Sequence, residues 1–154
     1  MDSLSGILAN ENCPIQNLFL DWNPIYSDDF RGGYPDDQAD AYHPGPEESS
    51  VWAKLVQDAK KVQVLFIRHC DLTDRDLKQI GSSLKADAGA QQRQIKVLDL
   101  SFNKFTGEGV AEEVSAILET NRSLEYLGVA KSGLEAKHVL PMLQHFGKVL
   151  FPAD

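Results

Sequence analysis

Two cysteines, four histidines and a run of aspartates are the side chains in this sequence that could do chemistry. Their spacing removes most of it. Cys13 and Cys70 are too few for a disulfide framework, and neither stands at a metal-ligand spacing. His138 and His145 are seven apart and lack Cys or carboxylate company, which reads as two surface histidines. Asp28, Asp29, Asp36, Asp37 and Asp40 lack the order of a calcium loop and the bidentate Glu that closes one. Gly107 and Gly109 sit in TGEGV at a helix start, where glycine eases a tight turn. One such pair does not make a phosphate cradle. No nucleophile stands beside a base in a recognisable arrangement. The expectation is a chain that is not an enzyme, with no cofactor and no metal.

The bulk charge narrows the partners. The 154 residues carry 15 basic and 23 acidic side chains, a net charge of −8. Nucleic-acid binding needs clustered Lys and Arg, so phosphate backbones are not the expected partner. No run approaches the roughly 18 apolar residues of a membrane span. The start lacks the basic and apolar stretches of a signal peptide. A cytoplasmic, reducing setting is expected.

The elements that position these side chains come from a repeat. Four segments align on the pattern apolar-x-x-Leu-x-apolar-x-x-Asn-x-apolar, two of them with Cys or Ser at the Asn position. They are Ile15, Leu18, Leu20, Asn23, Ile25, then Val62, Leu65, Ile67, Cys70, Leu72, then Ile95, Leu98, Leu100, Asn103, Phe105, then Leu124, Leu127, Val129, Ser132, Leu134. The starts are separated by 47, 33 and 29 residues. Between them lie helical patterns. Trp52, Leu55, Val56 and Ala59 share one face. Thr73 is a cap, with Asp74 and Asp76 at the positive end and Leu77, Ile80 and Leu84 inward. Thr106 precedes Val110, Val114, Ile117 and Leu118. A last helix is expected over Val139 to Phe146, with Pro141 in its first turn. Short apolar runs alternating with helices predict β-α units and a parallel sheet.

This pattern resembles the leucine-rich repeat family, and the 29-residue unit resembles its ribonuclease-inhibitor subtype. The resemblance implies a solenoid of about four repeats, a right-handed β-α superhelix with a concave parallel sheet and convex helices. The family carries Asn or Cys at the fourth patterned position, so Cys70 fits and Ser132 departs mildly. A buried structural role for Cys70 follows, because that position must satisfy turn backbone. No single repeat can bury its apolar face alone. Residues 1–154 therefore read as one domain. Leu4 to Asn10 reads as the tail of an earlier repeat's helix, and Lys148 to Asp154 ends where a fifth strand would begin. Either a piece of a longer solenoid or end-to-end self-association is expected.

Residues 27–48 interrupt the pattern. Seven acidic residues there face one basic residue, a local net charge of −6. Gly32, Gly33, Pro35, Pro44, Gly45 and Pro46 exclude a regular element. Two readings stay open. One is a solvated excursion. The other is an acidic docking loop for a basic protein, anchored by Tyr26, Phe30, Tyr34 and Tyr42.

Strand alternation then sorts the remaining side chains. With Leu98 and Leu100 inward, Val97, Asp99 and Ser101 face the open side of the sheet. The resulting columns are Asn17, Val64, Val97, Tyr126, then Phe19, Phe66, Asp99, Gly128, then Asp21, Arg68, Ser101, Ala130. Just beyond come Trp22, His69, Phe102 and Lys131. Phe19 is expected to meet Phe66, and Trp22, His69 and Phe102 to form a ladder. Asp21 beside Arg68 reads as a surface ion pair. The candidate partner-binding set is Phe19, Trp22, Val64, Phe66, Arg68, His69, Val97, Asp99, Phe102 and Tyr126. Such aromatics on an open sheet either form a protein interface or pack only to serve the fold.

The functional expectation is a protein-binding scaffold using the concave face and the acidic loop. The same repeat class includes the GTPase-activating protein for Ran and ribonuclease inhibitors. The alternative is therefore a regulator of a GTPase or other enzyme, although no GTPase-activating motif matches here. The stretch LFLDWNPI is similar to first repeats of centrosomal and ciliary leucine-rich repeat proteins, which implies a cytoskeletal or ciliary association.

Overall fold

The computed structural model describes residues 2–23, 50–85, 95–121 and 123–140. The acidic insertion, with Asp28, Asp29, Asp36, Asp37 and Asp40, lies outside these residues. So does the part of the expected last helix from 141 onward. Residues 136–140 are helical, so that helix begins before Val139.

Helices and strands alternate. In order they are α1 (Asp2–Ala9), β1 (Asn17–Phe19), α2 (Val51–Asp58), β2 (Val64–Phe66), α3 (Asp74–Lys85), β3 (Val97–Asp99), α4 (Gly107–Thr120) and β4 (Tyr126–Gly128). The four strands make one open sheet in chain order, all parallel. Asn17, Val64, Val97 and Tyr126 stand in register, as do Phe19, Phe66, Asp99 and Gly128. These are the columns that alternation predicts. Each helix packs on the next: α1 on α2, α2 on α3, α3 on α4. The protein is thus an α/β fold whose helices lie in one layer and whose strands lie in another.

The core fills the space between the layers. The strand side contributes Leu65, Ile67, Leu98 and Leu100, all buried. The helix side contributes Trp52, Leu55 and Val56 from α2, Leu77, Ile80 and Leu84 from α3, and Val110, Val114 and Ile117 from α4. Burying each such side chain contributes about 1.5–3 kcal/mol. Leu18 and Leu127 are only partly buried, because β1 and β4 are the outer strands.

The fourth patterned position holds the turns together. Asn103 is buried, and its carboxamide makes four bonds. Nδ2 donates to the carbonyls of Leu100 and Ile67, each at 2.8 Å. Oδ1 accepts from the amides of Cys70 at 2.9 Å and Leu72 at 3.2 Å. It therefore closes its own turn and ties it to the preceding one. The Cys70 thiol reaches Leu20 O at 3.1 Å and Arg68 O at 3.3 Å. Asn23 donates to Leu20 O, and the Ser132 hydroxyl donates to Val129 O. All four residues at this position donate to a turn carbonyl.

The helix starts are stitched in the same direction. Thr73 donates both N–H and hydroxyl to Asp76, at 2.9 and 2.8 Å, and Asp76 also accepts the Ser50 hydroxyl at 2.6 Å. Thr106 caps α4 by accepting from Gly109 N, while its own N–H donates to Asp74 at 2.8 Å. Carboxylates at helix N-termini thus satisfy orphan donors locally and in the next unit. His138 belongs to this series and corrects the reading of it as a surface residue. Its side chain is 9% exposed, and Nε2 lies 3.2 Å from Glu108. Glu108 is distant in sequence but stands one unit back, which local spacing does not reveal.

Candidate functional site

The sheet face turned away from the helices carries the candidate residues. Each strand runs into a turn whose second residue has a left-handed backbone. These residues are Trp22 (φ 63°), His69 (57°), Phe102 (63°) and Lys131 (54°). None is glycine, and bulky side chains rarely adopt this region. The turn holds because the next residue bonds its carbonyls, as Asn103 does above. The left-handed geometry points the four side chains outward together. Trp22 is 71% exposed, and Phe102 is exposed as well.

Two aromatic pairs form. Trp22 and His69 stack with centroids 3.9 Å apart and planes 28° apart. Phe19 meets Phe66 edge to face at 5.0 Å. The expected ladder stops at His69, because among the described residues Phe102 has no ring partner. The Arg68 guanidinium lies 4.9 Å from the Phe66 ring centroid, a cation–π contact. Val64 and Val97 are half-buried between these groups, and Tyr126 is exposed on β4.

Asp21 holds Arg68 in place. One carboxylate oxygen accepts from Arg68 Nη2 at 2.6 Å and Nε at 3.1 Å, and the other accepts its backbone N–H at 2.9 Å. The Arg68 side-chain bond keeps the Asp21 carboxyl below its usual range. Burial pushes the Cys70 thiol up, so little thiolate is present for reaction.

Asp99 departs from its neighbours. It occupies the expected column, but it is 6% exposed and its Oδ1 accepts from Ser101 N at 3.0 Å. Its partner across the sheet is Gly128, and a Cβ there would lie 2.4 Å from Oδ1. The carboxylate thus leans over β4 into the place of a missing side chain. Ser101 is also buried, and its hydroxyl accepts from Ala130 N at 3.0 Å. Strand alternation treats every outward side chain as free. The glycine in the same column was the signal that Asp99 had somewhere to lean.

The face therefore presents a stacked Trp22–His69 pair, exposed rings at Phe19, Phe102 and Tyr126, and a neutralised Asp21–Arg68 pair. Among the described residues no group of three or more His, Cys, Asp or Glu side chains is arranged to hold a metal ion. Among the same residues no helix is long and apolar enough to cross a membrane. No protein-family model matches the chain, and no curated protein matches it.

Proposed function

We propose that the chain is a leucine-rich repeat solenoid of the ribonuclease-inhibitor type, acting as a non-enzymatic scaffold that binds another protein. The fold reading rests on the recurrence of one turn chemistry at Asn23, Cys70, Asn103 and Ser132, with helices and strands in single file. The functional reading rests on one observation. Trp22, Phe102, Phe19 and Tyr126 are exposed on the sheet face that no helix covers. Several exposed aromatic side chains on one open face mark an interaction surface, and Trp, Tyr and Arg dominate binding energy at such surfaces. The acidic stretch 27–48 follows Trp22 in the sequence and supplies charge for a basic partner. A cytoskeletal or ciliary setting rests on the LFLDWNPI stretch alone.

The test is comparative affinity capture with the intact chain and with Trp22→Ala/Phe102→Ala. The variant is expected to lose specific partners by tenfold or more, in keeping with truncating two exposed aromatics. Its melting temperature should stay within a few degrees of the parent. An unchanged capture profile, or a large loss of stability, would assign these rings to the fold instead.

A further inference from the structure

On the open face, two polar groups are buried with bonding capacity unused. Asp99 is 6% exposed and Ser101 is 4% exposed. Asp99 Oδ1 accepts from Ser101 N, while Oδ2 accepts no hydrogen bond from any described residue. The Ser101 Oγ accepts from Ala130 N, and its own proton finds no acceptor among the described residues. Native structures seldom leave buried oxygens unpaired, because the desolvation is not recovered.

The surroundings of Asp99 say what would recover it. A Cβ on Gly128 would sit 2.4 Å from Oδ1 and 3.1 Å from Oδ2, so the carboxylate lies where β4 has no side chain. Phe66 is the register partner of Asp99 on β2. Tyr126 stands on the same face of β4, two residues before Gly128, and is exposed. Arg68 is close enough to feel the charge of Asp99. Its Nε and Nη2 are nonetheless both given to Asp21 Oδ2. A neutral donor would meet the geometry of Oδ2. A cation does so with a stronger, charge-assisted bond. The chain's net charge of −8 draws cations in general.

We propose that Asp99 is an anchor for a lysine or arginine side chain of a partner protein, which reaches Oδ2 from the open face of the sheet beside Gly128. The proposal rests on the open face being a binding surface and adds the chemistry of what enters it.

The probe is a ten-residue oligo-lysine peptide, titrated into the intact ¹⁵N-labelled chain and followed by amide chemical shifts. Oligo-glutamine and oligo-glutamate peptides are the controls. Oligo-lysine is expected to shift the amides of Ser101, Gly128 and Ala130, and neither control should. Asp99→Asn keeps an oxygen for the Ser101 amide, so the turn survives. In that variant the apparent Kd read at those three amides should rise about tenfold or more, the usual weight of one charged hydrogen bond. Shifts confined to the acidic 27–48 stretch would overturn the proposal. So would equal shifts with oligo-glutamine, or an undiminished response in Asp99→Asn. Loss of partner capture in Trp22→Ala/Phe102→Ala with full capture by Asp99→Asn would remove this anchor while leaving the scaffold reading in place.

Discussion

Asp21 grips Arg68 by both its backbone and its side chain, so a residue at the end of β1 fixes the residue at the end of β2. The backbone bond sets the geometry and the guanidinium bond supplies the charge. Together they hold the Phe66 ring beneath the Arg68 guanidinium.

This pair makes a pH prediction. The Asp21 carboxyl is held below its unfolded value, chiefly by the Arg68 side chain. A depressed carboxyl contributes stability above the unfolded pKa, and that stability is lost as pH falls through the folded value. Asp21→Asn should therefore cost about 1 kcal/mol at neutral pH, after allowance for solvent screening. The gap to the parent chain should close as the pH drops below about 4, where an ordinary carboxyl titrates. Chemical denaturation at a series of pH values measures it. A gap that is constant down to the lowest pH would assign the effect to shape rather than charge.

The fourth-position ladder separates two substitutions that look similar. Asn103→Ala strands four backbone groups inside the turns, those of Ile67, Leu100, Cys70 and Leu72. A cost of about 3 kcal/mol or more is expected, since each stranded buried group carries its own penalty. Cys70→Ser keeps a donor to Leu20 O and should change stability by less than about 1 kcal/mol. The native Cys70 thiol, raised by burial, should label with maleimide only as the chain unfolds. Fast labelling under native conditions would contradict the packing of this turn.

How much of this was legible in the sequence depends on the kind of contact. The column register followed from period-2 alternation and the fixed Leu-x-apolar spacing, because a parallel strand offers few other alignments. Phe19 on Phe66 and Asp21 beside Arg68 followed from the register. The contacts of Asp99, Ser101 and His138 did not. Each depends on a neighbour one unit away that lacks bulk, offers a backbone N–H or supplies charge: Gly128 for Asp99, Ala130 for Ser101, Glu108 for His138. Comparing the same position across units exposes such pairs, whereas reading along one unit hides them. The break in the ring ladder between His69 and Phe102 has no sequence signature, since ring orientation is set by the turn and its packing.

The left-handed turn positions give a test of backbone against side chain. At an ordinary exposed site, Gly is less stable than Ala by about 0.5–1 kcal/mol. At Phe102, with φ at 63°, the order should reverse. Phe102→Gly is expected to be more stable than Phe102→Ala by about 1 kcal/mol, because the left-handed region costs alanine roughly that much. Lys131→Gly should likewise be no less stable than Lys131→Ala. Thermal melts of the four variants decide it, and alanine proving the better residue at both positions would refute the turn geometry.

The helix starts give the last prediction. A Cβ on Gly107 would lie 2.2 Å from the His138 ring and 2.5 Å from the Gly133 carbonyl oxygen. The ring is a side chain and can shift, but the carbonyl is backbone and cannot do so cheaply. Gly107→Ala should therefore cost about 1–3 kcal/mol, the range for an overpacked site. In a His138→Ala background the cost should shrink without vanishing, because the carbonyl remains. Gly109→Ala meets a different obstacle, the Asp74 carboxylate at 2.6–2.8 Å, and displaces it from Thr106. Gly6 in α1 is the internal control. Nothing lies within 4 Å of its added Cβ, so Gly6→Ala should stabilise by up to about 1 kcal/mol through helix propensity. Gains at Gly6 with losses at Gly107 and Gly109 would show that close approach, not glycine content, sets the tolerance of these helix starts.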